Sequence, residues 1–274
     1  MPRDRSLGRT PRKQLDAGGR KKKKVNKKER ILYLPNLDES VTSKSSKAAY
    51  LINNYHNVRI VDLRTSVWNM SYKNCYWRIF LTSNECLTFA SIVILSILLW
   101  YSDFFYLPGL LMFPSSFFLW REWPKLVSRT WYKLMTTCLQ ITRQEMFDFN
   151  PTIVVGSSFG GAVSVFFLLD NLQHSVKPLV LLAPIHAELN RQMVFDWHGS
   201  RQLPEKANII IAHGDRDKRV KLSDSQKLEA GAPKRCKLYV IKNEGNRLNS
   251  LIGKGPVESN VSLVDLIEEA VAKR

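Results

Sequence analysis

Residues 153–163 read IVVGSSFGGAV, and this stretch decides how the rest of the chain is understood. Ile153, Val154 and Val155 are β-branched and apolar, as a buried strand requires. From Gly160 onward the chain turns into a small-residue and apolar run of helical length. Between the two lies Gly156-x-Ser158-x-Gly160. A serine on such a strand-to-helix turn holds its hydroxyl out at the carboxyl edge of a sheet, and the glycines remove side chains where strand and helix nearly touch. The backbone N–H of Phe159 then sits at a helix N-terminus, suited to an oxyanion. The bare G-x-S-x-G letters are common; following a strand and opening a helix, they are informative.

On either side, strands and helices alternate. Residues 30–35, RILYLP, predict a short strand ending in a Pro-Asn turn. Residues 43–54, SKSSKAAYLINN, predict a helix with Ala48, Ala49, Leu51 and Ile52 close to one face, and residues 58–63 a second strand. That β-α-β unit implies a parallel pair in a covered sheet. Further on, Leu126, Val127, Trp131, Leu134, Cys138, Ile141 and Met146 recur at helical spacing over 121–147. Strands are expected at 152–155, 178–183, 207–212 and 237–241, with helices at 160–172, 222–228 and 261–272. Five or six strands separated by helices predict one doubly wound, mostly parallel α/β domain over residues 31–274, carrying an insertion at 78–120.

The insertion is apolar. Residues 86–120 are 35 residues in which Asp103 is the only charge, with Trp100, Tyr101, Trp120 and Trp123 near the ends of its halves. A membrane segment is expected, either one crossing, a hairpin turning near Asp103 and Pro108-Gly109, or a shallow re-entrant form. The hairpin returns both flanks to the same side of the membrane, with the domain facing the cytoplasm. The competing reading is a greasy cap over a soluble core.

With 274 residues, 45% hydrophobic and 11% aromatic, the chain has ample material for a core. Its net charge of +17 is concentrated in residues 1–30, where 13 Lys or Arg face Asp4, Asp16 and Glu29. A disordered basic tail is expected, able to meet anionic phospholipid, an import receptor or RNA, or only to fix topology. Nucleic acid ranks last, because it would use only the tail and not the domain. No apolar signal-peptide core stands in residues 1–20. Cys75, Cys86, Cys138 and Cys236 match no disulfide or metal spacing, and neither a metal nor a cofactor is expected.

The GSSFGG at 156–161, the strand end LLAPI at 181–185 and HGDRDKRV at 213–220 together resemble the α/β-hydrolase superfamily. The resemblance covers residues 31–64 and about 121–274. It implies a serine nucleophile at Ser158, an orienting acid at Asp217 with Asp215 as competitor, and a histidine after the last strand. No histidine follows Asp217; in KNEGNRLNS, 242–250, Asn246 stands at the position resembling the histidine's. An amide cannot take a serine's proton near neutral pH. His186 is the candidate substitute base, with His198 a weaker one, while His213 is expected to brace its own turn and His56 and His174 to lie far away. The first oxyanion donor is implied at Phe159 and the second at Asn36 or Leu37, because Pro35 has no N–H. Two functions follow: a membrane-associated serine hydrolase of small or lipid-like carboxylic esters, or an inactive pseudohydrolase that binds a lipid or a protein.

Overall fold

A computed structural model describes residues 28–36, 46–63, 90–94, 97, 107–170, 177–193, 203–204, 206–253 and 260–273. The basic segment 1–27 lies outside these residues, as does most of 86–106.

Six strands form one sheet: β1 (Arg30–Leu34), β2 (Asn57–Ile60), β3 (Ile153–Ser157), β4 (Leu179–Leu182), β5 (Ile209–Gly214) and β6 (Cys236–Ile241). Their order is β2-β1-β3-β4-β5-β6 and every pairing is parallel. Because all strands run the same way, Leu34, Ser157, Leu182, Gly214 and Ile241 end at one edge. The chain steps outward from β1 to β2 and then crosses to β3 on the other side of β1. In open α/β sheets the carboxyl end of such a reversal is where ligand crevices form, and the Gly156–Gly160 turn lies at that end.

Strand alternation divides the core. Leu32, Val154, Leu179, Leu181, Ile209 and Ile211 face one layer, covered by α2 (Leu107–Phe149), α3 (Phe159–Asp170) and α4 (His186–Met193). Ile31, Tyr33, Ile153, Val155, Val180 and Ile210 face the other, covered by α1 (Ser46–Asn54), a 3-10 turn (Asn249–Ile252) and α6 (Leu263–Ala272). The remaining helix, α5 (Leu222–Ala230), packs beside β5 and β6. Near-continuous apolar strands follow from burial on both faces. Helix α6 starts with a capping box, Ser262 Oγ accepting from Asp265 N while the Asp265 carboxylate accepts from Ser262 N. Ser262→Ala is expected to lower stability by about 1 kcal/mol, read from a denaturant midpoint.

Helix α2 departs from the expected reading. It was expected over 121–147, with a hairpin turn at Pro108-Gly109, yet Leu107–Phe149 is one helix of 43 residues. Pro108 lies in its first turn, where a missing N–H breaks no bond, so the proline starts the helix instead of ending one. No break falls at 120. Among the described residues no helix is long and apolar enough to cross a membrane, so the inserted membrane hairpin is not supported. The apolar face expected on the second half is present: Trp131, Leu134, Cys138 and partly buried Ile141 and Met146 pack on the core. Trp120, by contrast, is 75% exposed.

Candidate active site

Strand β3 ends at Ser157 and α3 begins at Phe159, leaving Ser158 alone in the turn. Its φ is 51°, the left-handed region that a residue with a Cβ enters only at a cost of about 1–3 kcal/mol. Three backbone bonds hold it there: Ser158 N donates to Leu182 O at 2.8 Å, and Ser158 O accepts from Ala162 N at 3.1 Å and Ile185 N at 3.3 Å. The glycines allow this closeness. A Cβ on Gly160 would stand 2.1 Å from Leu34 O, and one on Gly156 2.7 Å from the Cα of Gly161. The serine is half-buried, and no hydrogen bond to its hydroxyl is formed among the described residues.

Phe159 opens α3, so its N–H is among the first-turn donors without a partner inside the helix. Its ring is buried 6.3 Å from that of Trp131, which fixes the start of α3 against α2. The chain after β1 begins beside the same turn, since Pro35 O as well as Leu34 O lies against Gly160. Of the two expected second donors, Asn36 is half-buried just after β1, and Leu37 falls outside the described residues.

Asp217 sits beyond the end of β5 with its side chain only 1% exposed, whereas Asp215 is exposed. Its Oδ1 accepts from the Arg219 and Val220 amides at 2.8 and 3.0 Å. Its Oδ2 has no hydrogen-bond partner among the described residues; the nearest ring nitrogen, His213 Nε2, is 3.6 Å away. His213 bonds elsewhere, with Nε2 3.1 Å from Val220 O and Nδ1 2.8 Å from Ser225 Oγ, so it braces the turn. The loop after β6 lies against this one, Arg216 N donating to Glu244 O at 2.9 Å. Asn246, two residues on, is half-buried and makes no side-chain hydrogen bond among the described residues. The loops of Asp217 and Asn246 are thus brought together at the same edge as Ser158.

His186 was read as a loop residue. It is the first residue of α4 and is buried, one position after the Ile185 whose amide bonds Ser158 O. No hydrogen bond joins its ring to the Ser158 hydroxyl. His56 is exposed beside β2, and His174 and His198 lie outside the described residues.

The sequence reading missed a pair beside the elbow. Lys47, in the first turn of α1, is 5% exposed and donates from Nζ to Ser157 Oγ at 2.9 Å; Ser157 is 1% exposed. A signal was available. Lys47 lies four residues before buried Leu51 and so on the inward face of α1, and Ser157 shares its strand face with Val155.

No protein-family model and no curated protein sequence matches the chain. Among solved structures, it is similar to a CIB-like hydrolase from Thermoplasma acidophilum, with 12% identity and a TM-score of 0.40 over 81% of this chain and 78% of that one. It is also similar to a thermophilic esterase from Thermogutta terrifontis, in its butyrate-bound form, with 11% identity and a TM-score of 0.40 over 91% and 82%. The same esterase phosphoramylated by tabun gives a TM-score of 0.37 at 11% identity, over 91% and 82%. The fold itself is a parallel α/β sheet in the order β2-β1-β3-β4-β5-β6, with Ser158 in the turn between β3 and the following helix.

Proposed function

We propose that the chain is a serine esterase-type protein, with Ser158 as the nucleophile toward carboxylic esters and with a compromised triad. The observation that carries this reading is the left-handed Ser158 at the sheet's carboxyl edge, a costly conformation that a purely structural serine does not need. Asp217 would orient a base, Asn246 occupies the position of the imidazole, and Phe159 N–H with the Leu37 segment would hold the oxyanion. Small or lipid-like esters are the substrate class. The exposed Trp120 and Ile94 of the apolar stretch 86–120 favour an acyl chain presented at a membrane surface. On the same reading the basic tail meets anionic phospholipid and the domain faces the cytoplasm.

A serine without a base keeps its proton and reacts slowly. What remains is oxyanion stabilisation and binding, which supply roughly a thousandfold over water in triad enzymes stripped of a member. Fluorophosphonate labelling is therefore expected to be slow but confined to Ser158 and absent from Ser158→Ala. Complete absence of labelling in folded protein would favour the second reading, an inactive binding module. That alternative is supported by Asp217 Oδ2, which has no hydrogen-bond partner among the described residues and lies beside the Asn246 loop, as expected where a triad's central member is gone.

A further inference from the structure

Lys47 is a buried cation beside the elbow for which the reading above has no use. Two buried histidines are found among the described residues, His186 and His213; His213 is committed to Ser225 and Val220. Lys47 lies on the other face of the sheet, on α1, which packs against the 3-10 turn that follows Asn246. It therefore lies on the sheet face that also carries the 3-10 turn following Asn246. Its Nζ stands 2.9 Å from the hydroxyl of Ser157, the residue bonded covalently to Ser158. No hydrogen bond joins the hydroxyls of Ser157 and Ser158 among the described residues, so a relay between these adjacent residues requires a rotamer change or a bridging water.

We propose that Lys47 accepts the proton of Ser158 through the hydroxyl of Ser157, replacing the base absent at position 246. The inference rests on Ser158 being the nucleophile. In the acylation step Ser158 Oγ bonds to the acyl carbon and passes its proton to Ser157 Oγ. The proton of Ser157 passes to the unprotonated Lys47 amine, which becomes an ammonium. When the tetrahedral intermediate collapses, the bond to the alkoxide breaks and the ammonium returns a proton along the same path. A water molecule repeats the sequence to release the acid. Because the lysine must be neutral to act, the rate rises with pH and levels off once Lys47 has lost its proton. Other titratable groups on this side of the sheet are Tyr50, Tyr55, Glu29, Glu244, Asp265 and Glu268. They are common to the wild type and the variants below, so the difference between profiles reports Lys47.

The test measures the rate of fluorophosphonate labelling of the full chain from about pH 6 to about pH 11.5, a range that crosses an ordinary lysine's titration at about 10.4. Lys47→Arg keeps a cation and a donor but cannot lose its proton. It is expected to label about a hundredfold more slowly and without levelling off. Ser157→Ala, which keeps both Lys47 and Ser158, is expected to lose a similar factor, and Ser157→Thr to restore it; thermal melts confirm that each variant is folded. Labelling of folded Ser157→Ala at the wild-type rate and with the wild-type profile would overturn the relay while leaving Ser158 as nucleophile. A wild type that does not label Ser158 at any pH would overturn both.

Discussion

Replacing Asn246 with histidine is expected to raise hydrolysis of a short-chain chromogenic ester by about a hundredfold or more, the usual contribution of a placed general base. The reasons lie in Asp217. Its Oδ1 is already fixed by two backbone amides, and its Oδ2 is buried with no hydrogen-bond partner among the described residues, an uncommon and costly state for a carboxylate. An imidazole N–H from the neighbouring loop would satisfy that oxygen and leave the other ring nitrogen to take the serine's proton. The gain should vanish when Ser158→Ala or Asp217→Asn is added to Asn246→His. A folded Asn246→His protein with no gain would mean that position 246 does not face the serine.

Gly160→Ala is expected to cost at least about 3 kcal/mol and to abolish labelling of Ser158, because overpacking against immobile backbone is among the most damaging changes. Helix propensity alone favours the alanine by about 1 kcal/mol, so the two effects oppose each other. Distance decides between them. The new Cβ would lie 2.1 Å from Leu34 O and 2.5 Å from Leu34 C, both backbone atoms at the end of β1, which is paired on both sides in the sheet. Neither can move without disturbing the sheet. Gly245→Ala is the control: no atom lies within 4 Å of its Cβ, and a change within about 0.5 kcal/mol is expected from the denaturant midpoint.

These two residues also show how much of the molecule was legible. The elbow could be read because β-branched strand residues, a serine and spaced glycines each have a narrow set of uses, and together they fit one turn. Strands β1, β3, β4 and β5 were legible because burial on both faces writes them as near-continuous apolar runs, while the edge strands β2 and β6 are partly exposed. The first part of helix α2 was not legible. Pro108-Gly109 was read as a turn, although a proline in the first turn of a helix removes no bond. His186 was read into a loop because HAELNRQM is a short, mostly polar segment with little apolar pattern, Leu189 being its buried apolar residue among those described. Lys47 was passed over because a lysine beside a helix start is usually solvated. Its burial depends on Ser157, 110 residues away, and no local window contains that contact.

The most direct test of the central claim is site mapping of the covalent phosphonate adduct by mass spectrometry after prolonged alkaline incubation of the wild-type chain. The account predicts the added mass on Ser158, with none on Ser157. An adduct on Ser157 or another serine, or none on protein that remains folded, would contradict it.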